Sequence, residues 1–155
     1  MASPKTVLVV HHTVSPALAE LVEAVVSGVR HPDLEGAARA QVTPALSAGV
    51  ADVLAADGLV LVTPVNIGYM SGALKHFFDT IYYPCLAATG RRPYGLVVHG
   101  SSDVVGGVRS VETIAGALDW TRVHPPVEVL GAPDRADLAA VTDLAGTVAA
   151  NTLDP

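Results

Sequence analysis

Short runs rich in β-branched residues recur along this chain, and longer Ala- and Leu-rich segments of helical period separate them. The runs show little polar alternation, so each reads as a strand buried on both faces, the pattern of a parallel sheet covered by helices. Thr6 to Val10 is the first strand, and Pro16 to Gly28 is a helix with Leu18, Leu21, Val22 and Val25 along its buried stripe. Ala38 to Val42 is the second strand, and Thr43-Pro44 is expected to open a helix through about Ala55, with Asp57-Gly58 as the turn. Leu59 to Val62 is the third strand, and Ala73 to Tyr82 a helix that Pro84 ends. Tyr94 to His99 and Val127 to Leu130 are the fourth and fifth strands, separated by a helix from Val108 to Leu118. Pro133-Asp134 starts a closing helix, Arg135 to Ala150. Five parallel strands with intervening helices imply an α/β domain, a doubly wound sheet with helices on both faces, spanning 1–155 without a repeat or linker.

Composition narrows the function classes. At 155 residues and 50% apolar content the chain has ample material for one core. Nine Lys and Arg against 15 Asp and Glu, a net charge of -6, argue against a nucleic-acid groove or an anionic membrane surface. Cys85 stands alone, which excludes an intrachain disulfide and a cysteine metal site and suits a cytoplasmic setting. The apolar run Val7 to Val10 is too short for a signal or spanning segment.

The segment after the third strand carries the strongest functional signal: Thr63-Pro64-Val65-Asn66-Ile67-Gly68-Tyr69-Met70-Ser71-Gly72-Ala73-Leu74-Lys75. Pro64 removes a ladder donor and is expected to bend the chain away from the sheet, Gly68 permits a positive φ, and Ser71 is a good helix N-cap. This order of residues resembles the loop that holds the isoalloxazine ring in the flavodoxin-like superfamily, especially the NADPH-dependent FMN reductases and related quinone reductases. The resemblance implies strand order 2-1-3-4-5, with a ligand beyond the carboxyl ends of strands one and three. The loops after strands one, three and four would converge there.

Each loop offers a part of an FMN site. His11-His12-Thr13-Val14-Ser15 precedes a helix whose free N–H groups, with the Thr13 and Ser15 hydroxyls, form a phosphate cradle without a lysine, and His12 can donate to the same phosphate. The Thr-Gly-Asn-Thr core of typical flavodoxins is missing there. By resemblance, Pro64, Val65, Asn66, Ile67 and Gly68 lie along the flavin edge and Tyr69 or Met70 near a ring face. Gly100, Ser101, Ser102 and Gly106 let the backbone approach the other edge. A single phosphate cradle and no adenosine motif point to FMN rather than FAD.

Other constellations fall short. Adjacent His11 and His12 point in opposite directions at a strand end and have no further ligands nearby, so no metal site is expected. Ser101 or Ser102 with His99 and Asp103 lacks the Gly-x-Ser-x-Gly elbow of a hydrolase triad. No Gly-x-Gly-x-x-Gly follows strand one, so a nicotinamide nucleotide would visit as substrate. The resemblance implies an FMN oxidoreductase that takes hydride from NADH or NADPH and passes electrons to a quinone, flavin or similar acceptor. The alternatives are a flavodoxin-type electron carrier and a domain that has lost FMN and serves in protein interaction. Phe78 and Tyr82 form a second apolar stripe on their helix beside Phe77 and Ile81, which calls for a further cover and suggests a homodimer or higher oligomer.

Overall fold

The computed structural model describes residues 2–154. Seven strands and five α-helices follow in the order β1 (Lys5–His11), α1 (Pro16–Val29), β2 (Ala38–Pro44), α2 (Val50–Ala55), β3 (Gly58–Asn66), β4 (Tyr69–Met70), α3 (Gly72–Cys85), β5 (Pro93–Gly100), α4 (Val105–Ala117), β6 (Thr121–Arg122), β7 (Val127–Leu130) and α5 (Arg135–Leu153). Strands β2, β1, β3 and β5 lie side by side and parallel, and both β6 and β7 pair with β5. Thr121 and Arg122 pair with the start of β5, and Val127 to Leu130 with its end. The fifth strand is thus one edge in two pieces, interrupted where Pro125-Pro126 cannot continue a ladder. With that allowance the order is the flavodoxin-like 2-1-3-4-5.

Alternate residues of each central strand enter opposite cores. Val7, Val9, Val60, Val62 and Val97 pack with α1 and α5, while Leu8, Val10, Leu59, Leu61, Leu96 and Val98 pack with α2, α3 and α4. Both faces are dry, which is why these strands read as unbroken apolar runs.

Three boundaries depart from expectation at a proline. Pro44 does not open a helix: it ends β2, paired in register with His11, on an edge strand that needs no donor on its outer side. The helix that follows is short, starting where the Asp52 carboxylate accepts the Gly49 N–H at 2.9 Å. Pro64 does not turn the chain out of the sheet but pairs in register with His99, because β1 has already ended and nothing on that side asks for its missing N–H. Pro84 lies inside α3, one residue before its end, where only the last turn loses a hydrogen bond. Helix α4 also begins three residues early, at Val105, whose N–H the Asp103 carboxylate accepts at 2.9 Å.

Phe78, one half of the second stripe of α3, finds its cover within the chain. Phe78 is buried against Phe77 and Trp120, with ring centroids 5.4 and 6.0 Å apart, and the Trp120 indole donates to Thr89 Oγ1 at 2.9 Å. Phe78 therefore needs no second chain to cover it. Tyr82 is partly buried and meets Tyr83 edge-on, while Tyr83 stays 81% exposed.

Candidate functional site

The carboxyl ends of β1, β3 and β5 adjoin, so the loops that follow them gather at one end of the sheet. The first, His11 to Ser15, is built around absent partners. Ser15 caps α1, its Oγ accepting the Leu18 N–H at 3.3 Å, and Pro16 begins the helix without an N–H of its own. Among the described residues, no hydrogen bond uses the N–H groups of Thr13, Val14, Ser15 or Ala17. His12 Nδ1 is buried with no partner. Unpaired N–H groups at a helix start together with an orphaned imidazole nitrogen make a ready anion cradle. Phosphate oxygens are the acceptors that these groups lack, so the loop fits a phosphate terminus despite having no lysine. Beside it, His11 Nδ1 lies 2.8 Å from Thr13 Oγ1, and burial, then the neighbouring His12, hold the His11 imidazole below its usual value of 6.5.

The second loop is a hairpin rather than an open wrap. Asn66 pairs with Tyr69 and Val65 with Met70, leaving Ile67 and Gly68 as a two-residue turn with φ of 51° and 71°. Two positive φ angles are the signature of the type I′ turn that suits a twisted hairpin. Gly68 takes this conformation freely, whereas Ile67, β-branched and fully exposed at the tip, is strained by it.

Buried hydroxyls fasten the base of that hairpin. Thr63 Oγ1 accepts the Ser71 N–H at 3.1 Å, and Ser71 Oγ accepts the Leu74 N–H at 3.3 Å to cap α3. Ser110, on α4, accepts the Met70 N–H at 3.1 Å and itself donates to the Gly107 carbonyl at 2.8 Å. Only the tip, Asn66 to Tyr69, is left exposed.

Glycines of the third loop serve the second. A Cβ on Gly106 would collide with the Gly68 carbonyl, and one on Gly107 with the Val65 side chain. These two glycines let α4 press against the hairpin, while Gly68 has open space around it and is needed for its φ alone. Gly106 thus supports the site from behind. Ser101 and Ser102 are exposed beyond β5, and Gly100 accepts the Gly131 N–H at 2.9 Å, tying in the loop after β7. His99 Nε2 lies 2.8 Å from the Gly131 carbonyl, so that ring is engaged away from Ser101 and Ser102 and no triad forms.

Residues His12, Thr13, Ser15, Pro64 to Tyr69 and Gly100 to Ser102 are thus brought to one end of the sheet. Sequence reasoning passed over Thr63 as a fastener and missed Ser110 and Gly131. A serine among the apolar positions of α4 is the one signal that marked Ser110. Among the described residues no cluster of side chains has metal-binding composition, and no helix is long and apolar enough to cross a membrane.

A family model describing NADPH-dependent FMN reductases matches residues 7–134. Solved structures share the fold. A flavodoxin from the domain Archaea has a TM-score of 0.80 at 14% identity, over 96% of this chain and 99% of that one. A flavodoxin, WrbA-like protein from Agrobacterium tumefaciens has a TM-score of 0.78 at 19% identity, over 97% and 98%. An oxidoreductase from Corynebacterium diphtheriae has a TM-score of 0.76 at 18% identity, over 99% and 100%. No curated protein sequence matches.

Proposed function

The chain belongs to the NADPH-dependent FMN reductase family and binds FMN as a flavin-binding oxidoreductase, and on that premise we propose that it is a reductase that accepts hydride from NADH or NADPH and reduces a quinone, flavin or similar small acceptor. Bound FMN supplies the hydride and electron chemistry. The N–H groups of Thr13, Val14, Ser15 and Ala17, with His12, hold the phosphate. The hairpin tip, Asn66 to Tyr69, with its half-exposed Tyr69, and Gly100 to Ser102 would hold the ring. No side chain is asked to shuttle a proton.

One observation favours a reductase over an electron carrier. The stretches 11–15, 63–71 and 99–107 contain a single carboxylate, Asp103, and its Oδ1 is engaged by the Val105 N–H. Of the chain's other acids, Asp79 shares a hollow with Tyr69, where Lys75 Nζ donates to it at 2.6 Å. A carrier that docks on basic partners needs an acidic rim, whereas an anionic dinucleotide needs a site free of one. Anaerobic stopped-flow mixing of the FMN-loaded protein with NADPH, followed at the flavin absorbance, tests the reading. Rapid saturable bleaching is expected. Bleaching by dithionite but not by either nicotinamide nucleotide would leave the carrier instead.

A further inference from the structure

At the amino-terminal end of the sheet, across the molecule from the loops above, a cavity of about 400 Å³ opens among the strand starts and the end of α5. Lys5, Arg91 and Arg92 line it, together with Asp57, Thr121 and Asp154. Its volume falls in the range of small-molecule sites, roughly 300–1,000 Å³. Three of the chain's nine Lys and Arg therefore meet in one hollow of a protein that carries 15 acids. None of the three lies within 4 Å of a carboxylate among the described residues, where the ion pairs are His31–Asp33, Lys75–Asp79 and Arg122–Glu112.

One detail points to a missing ligand. Arg92 Nε is buried with no acceptor, although a buried guanidinium N–H left unpaired is costly. Arg91 stands next to it with φ at 68°, held there by its own N–H, which donates to the Asp119 carbonyl at 2.6 Å. Two arginines and a lysine lining one hollow suit the concentrated charge of a phosphate or carboxylate. The acids set a limit on the rest of the ligand. Asp57 Oδ2 already accepts the Thr6 N–H at 2.8 Å, and Asp57, Asp154 and Thr121 all line the cavity. Carboxylates repel a second spread of negative charge and accept hydroxyl groups. A compact anion carrying a polyol meets both demands.

We propose that this cavity is a second ligand site, for a small sugar phosphate whose phosphate is taken by Arg92, Arg91 and Lys5 and whose hydroxyls face Asp57, Asp154 and Thr121. The site is independent of the flavin reading and lies at the other end of the sheet.

The test uses FMN-saturated, 15N-labelled protein, so that the His11–Ser15 cradle is filled. Its arginine Nε–H signals are followed while ribose 5-phosphate is added at constant ionic strength, the Arg92 signal being assigned by its loss in Arg92→Lys. A saturable shift of that signal is expected. Lys5→Gln combined with Arg91→Gln, two exposed side chains whose loss leaves the core untouched, should weaken binding about tenfold or more. A static Arg92 signal, equal affinity in the double variant, or an equal response to ribose without phosphate would each overturn the proposal.

Discussion

The two loops that flank the candidate site are built on opposite plans. The His11–Ser15 loop leaves polar groups open: the N–H groups of Thr13, Val14 and Ser15, that of Ala17 just beyond, and His12 Nδ1 have no partner among the described residues. The Val65–Met70 hairpin spends nearly everything on itself, through its own pairing, Thr63, Ser110 and the close approach of Gly106. Open groups await a ligand's charge, whereas a fastened hairpin presents a fixed edge. The first loop should therefore answer to ligand and pH, and the second to packing.

The largest effect is expected at the second loop, from a residue outside it. Gly106→Ala places a Cβ against the Gly68 carbonyl, and backbone cannot rotate aside as a flexible side chain can. Overpacking of this kind should cost roughly 3 kcal/mol in urea unfolding. It should also weaken FMN binding by displacing the hairpin tip. If Gly106→Ala unfolds at the wild-type midpoint, the hairpin is not fastened as described.

This contrast also decides what the sequence could disclose. The second loop was legible because its identities do local work: Gly68 supplies a φ and Ser71 a cap, whereas Gly106, expected at the flavin's other edge, makes room for the hairpin from a distant helix. The hairpin itself was not, since Ile67 is a poor residue for a type I′ turn and Pro64 ordinarily marks a strand's end. Both cores could be read from period and burial, the strand order came only with the family resemblance, and the errors gathered at prolines on edges and ends, where tertiary context makes a missing N–H harmless. In the first loop the candidate donors are backbone N–H groups, legible only indirectly, through the Ser15-Pro16 pair that marks where a helix starts. Ser110 and Gly131 act across elements distant in sequence, a relation that spacing cannot reveal.

A smaller effect should separate the loops in the other direction. His12→Ala removes an unpartnered nitrogen, so the flavin-free protein should keep its urea midpoint, while FMN affinity falls about tenfold through loss of one donor to phosphate. Titration of FMN fluorescence quenching checks the second outcome. Loss of stability with unchanged affinity would mean that the first loop is structural.

Ile67→Asn probes the hairpin's one concession. Asn tolerates the left-handed region that a β-branched residue resists, and Ile67 is fully exposed, so no packing is lost. The flavin-free variant should gain about 0.5–1 kcal/mol in urea unfolding. A loss would show that the isoleucine tip is supported by contacts rather than strained.

The smallest effect should appear in the first loop as a dependence on pH. Burial, then His12, hold His11 below 6.5, so the folded chain takes up a proton less readily than the unfolded chain. The resulting stabilisation is complete above pH 6.5 and is lost as pH falls through the lowered folded value. Urea midpoints of flavin-free protein should accordingly decline from about pH 7 to about pH 5, with a shallower decline in His11→Gln. FMN makes the test sharper: a phosphate beside this loop favours the protonated imidazole, raises its folded value and should flatten the decline. A slope that FMN leaves unchanged would mean that the phosphate does not sit beside His11, and the open plan of the first loop would have to serve something else.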